Sequence, residues 1–404
     1  MKHRERTLLA SIFLFWFSLY TYPSFLSSYA EGVLGATSVM TGLIVGSYGF
    51  TQMALRIPLG ILSDLTRKRK VYVMMGFAAS MVASMGLSAV AISADGARAG
   101  LVVAALIFRG VSGVAAASWV TFSVLYSASY PPERTAEAMS RIALPQYLSQ
   151  VAAMLLGAWI MNAFGARWAF LLASVAGAAG MLALSRVPDI PPAGGGALTR
   201  AGFFEVLRDR NLIAGSILAT LLFLVNWATV LGFVQNWARA YVAGFGDAHL
   251  GWLSVAYLLP SAIISRFSGR LARRIGRAPV LAGSFLLVCA ACLLYPHART
   301  LARLFANQTL IGAGMGMIMP LSMAAAIETV PDQRRGAAMG VFQAVYGIGM
   351  FLGPVVAGKV IDHFSAGEDL YGGYTANFMM CAAIALAGAA LSIVVTRGRA
   401  KGNQ

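Results

Sequence analysis

The sequence predicts an all-α membrane protein: twelve membrane-spanning helices arranged as two pseudo-symmetric six-helix bundles. Three observations carry this. The chain holds twelve predominantly apolar stretches, each close to or above the roughly 20 residues a helix needs to cross the hydrocarbon core. Its cations collect in every second connection, and its second half repeats marks of its first. Composition agrees. Of 404 residues 58% are hydrophobic and 11% charged, with a mean hydropathy of +0.72, whereas soluble domains carry about 25% charge.

The expected spans lie at 7–30, 38–62, 71–92, 99–127, 141–163, 166–186, 211–240, 249–267, 278–295, 300–328, 336–361 and 373–395. The N-terminus imitates a signal peptide, with MKHRER, an apolar run, and Ser28-Tyr29-Ala30 as a small-residue site. A signal's apolar region is about 7–15 residues long. This run continues from Thr7 to Ala30 and so reads as an uncleaved first span.

With the N-terminus inside, the inner connections and termini hold 22 Lys and Arg residues, including Lys2, Arg4, Arg67–Lys70, Arg134, Arg141, Arg273, Arg274 and Arg334. The outer ones hold six: Arg98, Arg167, Arg239, Arg299, Arg303 and Lys359. Cations are retained on the cytoplasmic side, so both termini are expected in the cytoplasm of a cell with this multi-pass protein in its cytoplasmic (inner) membrane. The net charge of +16 then serves topology and anionic headgroups, and no nucleic-acid partner is expected.

The one linker runs from Arg186 to Arg210. Pro188, Pro191, Pro192 and Gly194–Gly196 forbid a continuous helix, while FFEVLRDR reads as a short amphipathic helix on the inner leaflet. The expected domains are thus 1–187, a cytoplasmic linker 188–210, and 211–404. The halves repeat: PPERTAEAM at 131–139 lies 200 residues before PDQRRGAAM at 331–339.

The most informative stretch is RIPLGILSDLTRKRK, Arg56 to Lys70. Gly60 and Ser63 are small enough for another helix to approach, and Asp64 stands at the edge of the apolar zone, just before Arg67, Lys68, Arg69 and Lys70. Gly60-x-Leu62-Ser63-Asp64-x-x-x-Lys68-Arg69 resembles the loop 2–3 signature of the major facilitator superfamily of secondary transporters. It departs from that signature at Leu65, where a cation is usual, and at Arg67, where a second glycine is usual. GRLARRIGR, from Gly269 to Arg277, is its second copy; Gly276 is present there and Arg273 replaces the acid. Parallel halves related by an axis along the membrane normal are expected of this superfamily.

Three arginines lie inside spans: Arg56, Arg109 and Arg266. A cation at the bilayer centre costs about 2.5–3.5 kcal/mol on insertion scales, so each needs a partner, a cavity or an exit. Arg56 and Arg266 sit near inner ends, where they are expected to snorkel. Arg109 is too deep for that. Arg109-x-x-Ser112-Gly113-x-Ala115-Ala116-Ala117 resembles the superfamily's fourth-helix motif, whose arginine is tied to proton coupling or to cavity charge; a purely structural pair is the alternative. On span 11, Gly349-x-x-x-Gly353-Pro354-x-x-x-Gly358 resembles the glycine–proline motif that marks exporters when it stands on span 5. Span 5 here retains only Gly157, so the copy on span 11 reads as close packing. Gly312-x-Gly314-x-Gly316 follows no strand and reads as packing rather than a phosphate loop.

By superfamily geometry spans 1, 4, 7 and 10 line the cavity. The polar and aromatic candidates are Tyr20, Tyr22, Ser24, Trp119, Ser123, Asn226, Trp227, Gln235, Asn307 and Gln308, each of which could instead make only a helix-to-helix hydrogen bond. The acids singled out, Glu31, Asp64 and Glu328, lie at span ends. With no mid-membrane carboxylate and with Arg109 present, neutral, zwitterionic or anionic cargo is expected. Cys289, Cys292 and Cys381 sit within apolar runs and read as packing residues.

The resemblance implies a proton-coupled secondary transporter working by alternating access, with Asp64, Arg109, Glu31, Arg56 and Glu328 as coupling or gating residues and Asp64 latching span 2 against span 11. The drug-exporter branch is the nearest style. Uptake of a small organic anion or sugar is the runner-up, and a non-transporting sensor is a further alternative. No catalysis, metal or cofactor beyond the proton gradient is expected. The partners expected are a small molecule, protons and lipids, for a monomer.

Overall fold

The structure, a computed structural model, describes residues 2–93, 98–130, 135–189, 205, 207–330, 334–365, 367 and 369–400. Most of the linker, Arg134 and the side chain of Asp64 lie outside the described residues. Among the described residues the regular structure is helical, apart from one isolated bridge between Ala243 and Thr300.

The helices are α1 (Lys2–Tyr20), α2 (Leu26–Gly32), α3 (Ser38–Thr66), α4 (Arg69–Ile92), α5 (Arg98–Ala117), α6 (Trp119–Ser127), α7 (Thr135–Phe164) and α8 (Ala166–Ser185) in the first half. The second half holds α9 (Arg210–Ala228), α10 (Val234–Tyr241), α11 (Leu250–Ile275), α12 (Arg277–Leu294), α13 (Leu301–Ile327), α14 (Arg335–Phe364) and α15 (Tyr371–Ala400). Among the described residues ten helical stretches are long and apolar enough to cross a membrane, and they coincide with expected spans 3 to 12. Spans 1 and 2 complete the twelve, with less uniform sequences. Span 2 is the single helix α3, which carries the polar Tyr48, Gln52 and Arg56.

Span 1 is not the continuous helix expected from 7 to 30. It breaks at Thr21–Phe25, because Pro23 offers no backbone N–H. The chain turns there, with the Tyr22 carbonyl accepting from the Phe25 and Leu26 amides at 3.2 and 3.0 Å. Span 7 is interrupted too. A π-turn, Thr229–Phe233, separates α9 from α10.

The chain divides into two compact units, Met1–Gly35 with Ser47–Ala197, and Ala36–Gly46 with Leu198–Gln404. The start of α3 therefore packs with the second unit, whereas its remainder stays with the first. The repeat is visible in the packing of each unit. α4 packs on α8 and α1 on α7 in the first; α12 on α15 and α9 on α14 are the equivalent pairs in the second. The first core is centred on Phe15, whose ring meets Phe77 at 5.2 Å and Phe122 at 5.6 Å. The second is centred on Tyr295, stacked on Phe378 at 4.7 Å with Trp237 nearby.

Small residues set these contacts. Gly349 and Gly353 of α14 face backbone carbonyls of Thr220 and Leu224 on α9, and Gly358 faces the Ser38 carbonyl. Gly312 and Gly316 bring α13 onto α11, while Gly314 meets α12. Both glycine series are packing series, as the sequence predicts. Asp362, near the end of α14, accepts from the Ser38 and Val39 amides at 3.2 and 3.0 Å. It thus supplies the acceptors that the N-terminus of α3 lacks.

At the start of the first unit Glu5 gathers Tyr130 (2.6 Å) and Arg141 (2.7 Å). The Tyr130 hydroxyl first, and then Arg141, holds this carboxyl below its ordinary value. A carboxylate lowered in the folded state contributes fully above its unfolded value, and the contribution is lost as pH falls through the folded one. The stability advantage of wild type over Glu5→Gln should be present at neutral pH and lost as pH falls through the lowered value of the Glu5 carboxyl. At so exposed a pair it is under about 1 kcal/mol. Thermal unfolding in detergent across this range measures it; an advantage that persists undiminished at acid pH would contradict the assignment.

Candidate functional site

The site is built around Arg109 on α5, which is only 2% exposed. One turn later Gly113 brings α5 against α3, where an added Cβ would stand 2.5 Å from the Tyr48 carbonyl oxygen. That close approach lays the Tyr48 ring under the guanidinium, 4.4 Å from its centroid. The Tyr22 ring, presented by the break in span 1, flanks it at 5.2 Å. Ser112 Oγ accepts from Arg109 Nη1 at 3.3 Å and donates to the Arg109 carbonyl at 2.6 Å. Among the described residues no carboxylate stands within ion-pair distance of Arg109. The arginine Nε and the Tyr22 hydroxyl are buried with no hydrogen-bond partner. A fixed cation between two aromatic faces, with unused donors, has the chemistry to hold an anionic acceptor.

Arg56 departs from its expected snorkelling. It is 2% exposed and donates to the Ala116 carbonyl at 3.1 Å. The Gln52 amide oxygen, turned towards the guanidinium, accepts from both terminal nitrogens at 3.0 and 3.2 Å. Gln52 sits one helical turn before Arg56, which is why the pair forms locally. Arg266, in contrast, is exposed as expected.

In the loop 2–3 motif, the nearest group to an added Cβ at Gly60 is a Val120 methyl, 3.9 Å away. Ser63 is buried and donates to the Gly60 carbonyl at 2.8 Å. Lys68 is exposed, Arg69 is buried, and Lys70 ties the start of α4 to the end of α8 through Ser185 and Asp189. The unusual Arg67 has φ +56, and Gly276, its counterpart in the second copy, has φ +91. A glycine is usual there because the backbone is left-handed, which costs other residues roughly 1–2 kcal/mol. Arg67→Gly is therefore expected to raise the thermal midpoint and Gly276→Arg to lower it. Unchanged midpoints in both would remove the explanation.

Of the other acids, Glu31 is half-buried at the end of α2 and Glu328 pairs with Arg277 at 2.7 Å. Among the expected cavity residues several spend their polar groups on packing. In the first unit Ser24 donates to the Met154 carbonyl and Ser123 to the Val120 carbonyl of its own helix. Tyr20 and Trp119 both pack against Trp16. In the second unit Asn226 donates to the Tyr257 hydroxyl at 2.8 Å, Asn307 to the Ala291 carbonyl, and Gln308 accepts from Tyr295 at 2.7 Å. Trp227 and Gln235 are buried beside the π-turn. Gln308 Nε2 and Trp237 Nε1 remain buried without partners.

Sequence reasoning missed Tyr48, Gln52, Asp362 and Asn377. Spacing was a usable signal for Gln52, four residues from Arg56. Asp362 was the unconsidered acid at the end of span 11.

The sequence profile described as Major Facilitator Superfamily matches residues 8–248 and 217–404. The chain belongs to the Major Facilitator Superfamily. An uncharacterised transporter of the superfamily from Methanocaldococcus jannaschii is 23% identical over 87% of this chain and 91% of its own length. The multidrug transporter protein MdtP of Bacillus subtilis is 28% identical over 38% of this chain and 28% of its own length. Among solved structures, the nucleoside transporter NupG superposes with a TM-score of 0.77 at 15% identity, covering 97% of this chain and 99% of that one. That likeness concerns the fold. The superfamily membership makes this a multi-pass membrane transporter.

Proposed function

We propose that this protein is a proton-coupled secondary transporter exporting a small amphipathic organic molecule, neutral to anionic, across the cytoplasmic membrane by alternating access. The observation that carries the cargo charge is Arg109, a buried cation whose partners are all neutral. Lipophilic cations would meet repulsion there. The cation bias of the connections supports cytoplasmic termini. Likeness to a multidrug transporter over part of the chain supports export. One proton moving through 100 mV supplies about 2.3 kcal/mol, and Glu31 and Asp64 are the proposed proton carriers.

The test uses proteoliposomes of known protein orientation, loaded with a pH-sensitive dye and offered neutral, anionic and cationic amphiphiles and sugars. Proton movement opposite to the cargo is the expected result. Movement with the cargo would replace export by symport and uptake. Proton movement driven best by lipophilic cations would overturn the proposed cargo charge.

A further inference from the structure

We infer that Arg109, Tyr22 and Tyr48 form a receptor for the carboxylate of a monoanionic organic acid, a conclusion that rests on the transporter function proposed above. The guanidinium presents up to five N–H donors in a planar fork. In the protein one of these is used on Ser112, and Nε has no acceptor. Tyr22 is fully buried, and its hydroxyl is a second donor without an acceptor, on the ring that flanks the guanidinium. Buried donors are nearly always satisfied, so donors left without acceptors on and beside a fixed cation define the ligand by what they lack, a charged acceptor. Two oxygens on one carbon match the fork geometrically.

Charge sets the remainder of the identity. One guanidinium walled by Tyr22, Tyr48 and the Ser112 hydroxyl balances a single negative charge. The other buried arginine of this unit, Arg56, donates to Ala116 and is covered by Gln52, so it is not a second open cation. A carboxylate therefore fits, whereas a phosphate dianion would leave charge unbalanced. The aromatic faces of Tyr22 and Tyr48 favour an acid whose carboxylate is carried on a flat or apolar body. The pairing is strong because water is excluded, since a dry site raises the value of each charge-assisted hydrogen bond.

The test is equilibrium binding to the purified full-length protein, so that it does not depend on transport. Benzoate, hexanoate, benzamide, benzylamine and phenyl phosphate are the probes, read by thermal shift and by titration calorimetry. Benzoate or hexanoate should protect the protein, while benzamide, benzylamine and phenyl phosphate should bind at least about tenfold more weakly, the loss of one charge-assisted contact. Tyr22→Phe keeps the ring and removes the hydroxyl; it should weaken carboxylate binding about tenfold with an unchanged unfolding midpoint in the absence of ligand. Arg109→Gln should abolish it. Wild-type protein that binds neither carboxylate, benzamide binding as well as benzoate, or full carboxylate affinity in Tyr22→Phe would each overturn the assignment. If carboxylates bind as expected and no proton moves in the vesicle assay, the receptor stands and proton coupling fails. If protons move with neutral cargo and no carboxylate binds, the receptor fails and transport stands.

Discussion

Replacing Gly157 with leucine is expected to prevent accumulation of correctly folded protein. Gly157 lies on α7 where it meets the break in span 1, and a Cβ there would overlap the Thr21 carbonyl and crowd the Thr21 methyl, 2.9 Å away. The obstructing group is backbone, so no rotamer change relieves it. Overpacking in a well-packed interior typically costs about 1–3 kcal/mol and occasionally more, and a rigid backbone neighbour places this site at the upper end. The effect extends to the receptor. Thr21 adjoins Tyr22, so any backbone shift that relieves the clash moves the ring that flanks Arg109. Size-exclusion profiles and unfolding midpoints for Gly157→Ala and Gly157→Leu should show a graded loss, with the leucine variant aggregated. A leucine variant with the wild-type midpoint would contradict this packing.

The second large effect is expected at Asn377. A π-turn shifts hydrogen bonding from i→i+4 to i→i+5. In span 7 Asn377 of α15, fully buried, donates its amide to the Ala228 carbonyl at 3.2 Å, at the start of that turn. Asn377→Leu removes this buried hydrogen bond, a cost of about 0.5–1.5 kcal/mol. It should lower the midpoint by a few degrees, roughly the shift expected for that free energy in a domain of this size. Because π-turns gather at functional positions, transport should slow as well. A variant with unchanged midpoint and unchanged rate would show that the turn does not depend on this bond.

Much of the fold could be read in the chain because its determinants are local and additive. Apolar length fixes the spans, cations fix the expected sidedness, and the recurrence of the loop motif announces the repeat. The departures arise where a single residue overrides a pattern. Pro23 breaks span 1 even though hydropathy runs through it. The π-turn in span 7 leaves no periodic trace, since a one-residue insertion hides within a uniformly apolar helix. Arg109 was legible from its depth and spacing, but its companion Tyr48 was not, because that contact depends on how Gly113 lets two helices meet. Arg56 looked able to reach the aqueous edge; its capture by Gln52 and the Ala116 carbonyl is a tertiary outcome. The left-handed φ at Arg67 supplies the physical reason for a departure that the sequence displayed and could not explain.

The most direct test of the central claim is concentrative transport driven by an imposed pH difference. Proteoliposomes of defined orientation would be given equal internal and external concentrations of a labelled organic acid, such as benzoate, and then a pH step. Protein-free vesicles serve as the reference for passive partition of the acid. The account predicts protein-dependent movement of label from the face bearing the chain termini to the opposite face, against its own gradient, abolished by a protonophore and by Arg109→Gln. Label that moves no faster than in protein-free vesicles, or that only equilibrates whatever the proton gradient, would contradict it.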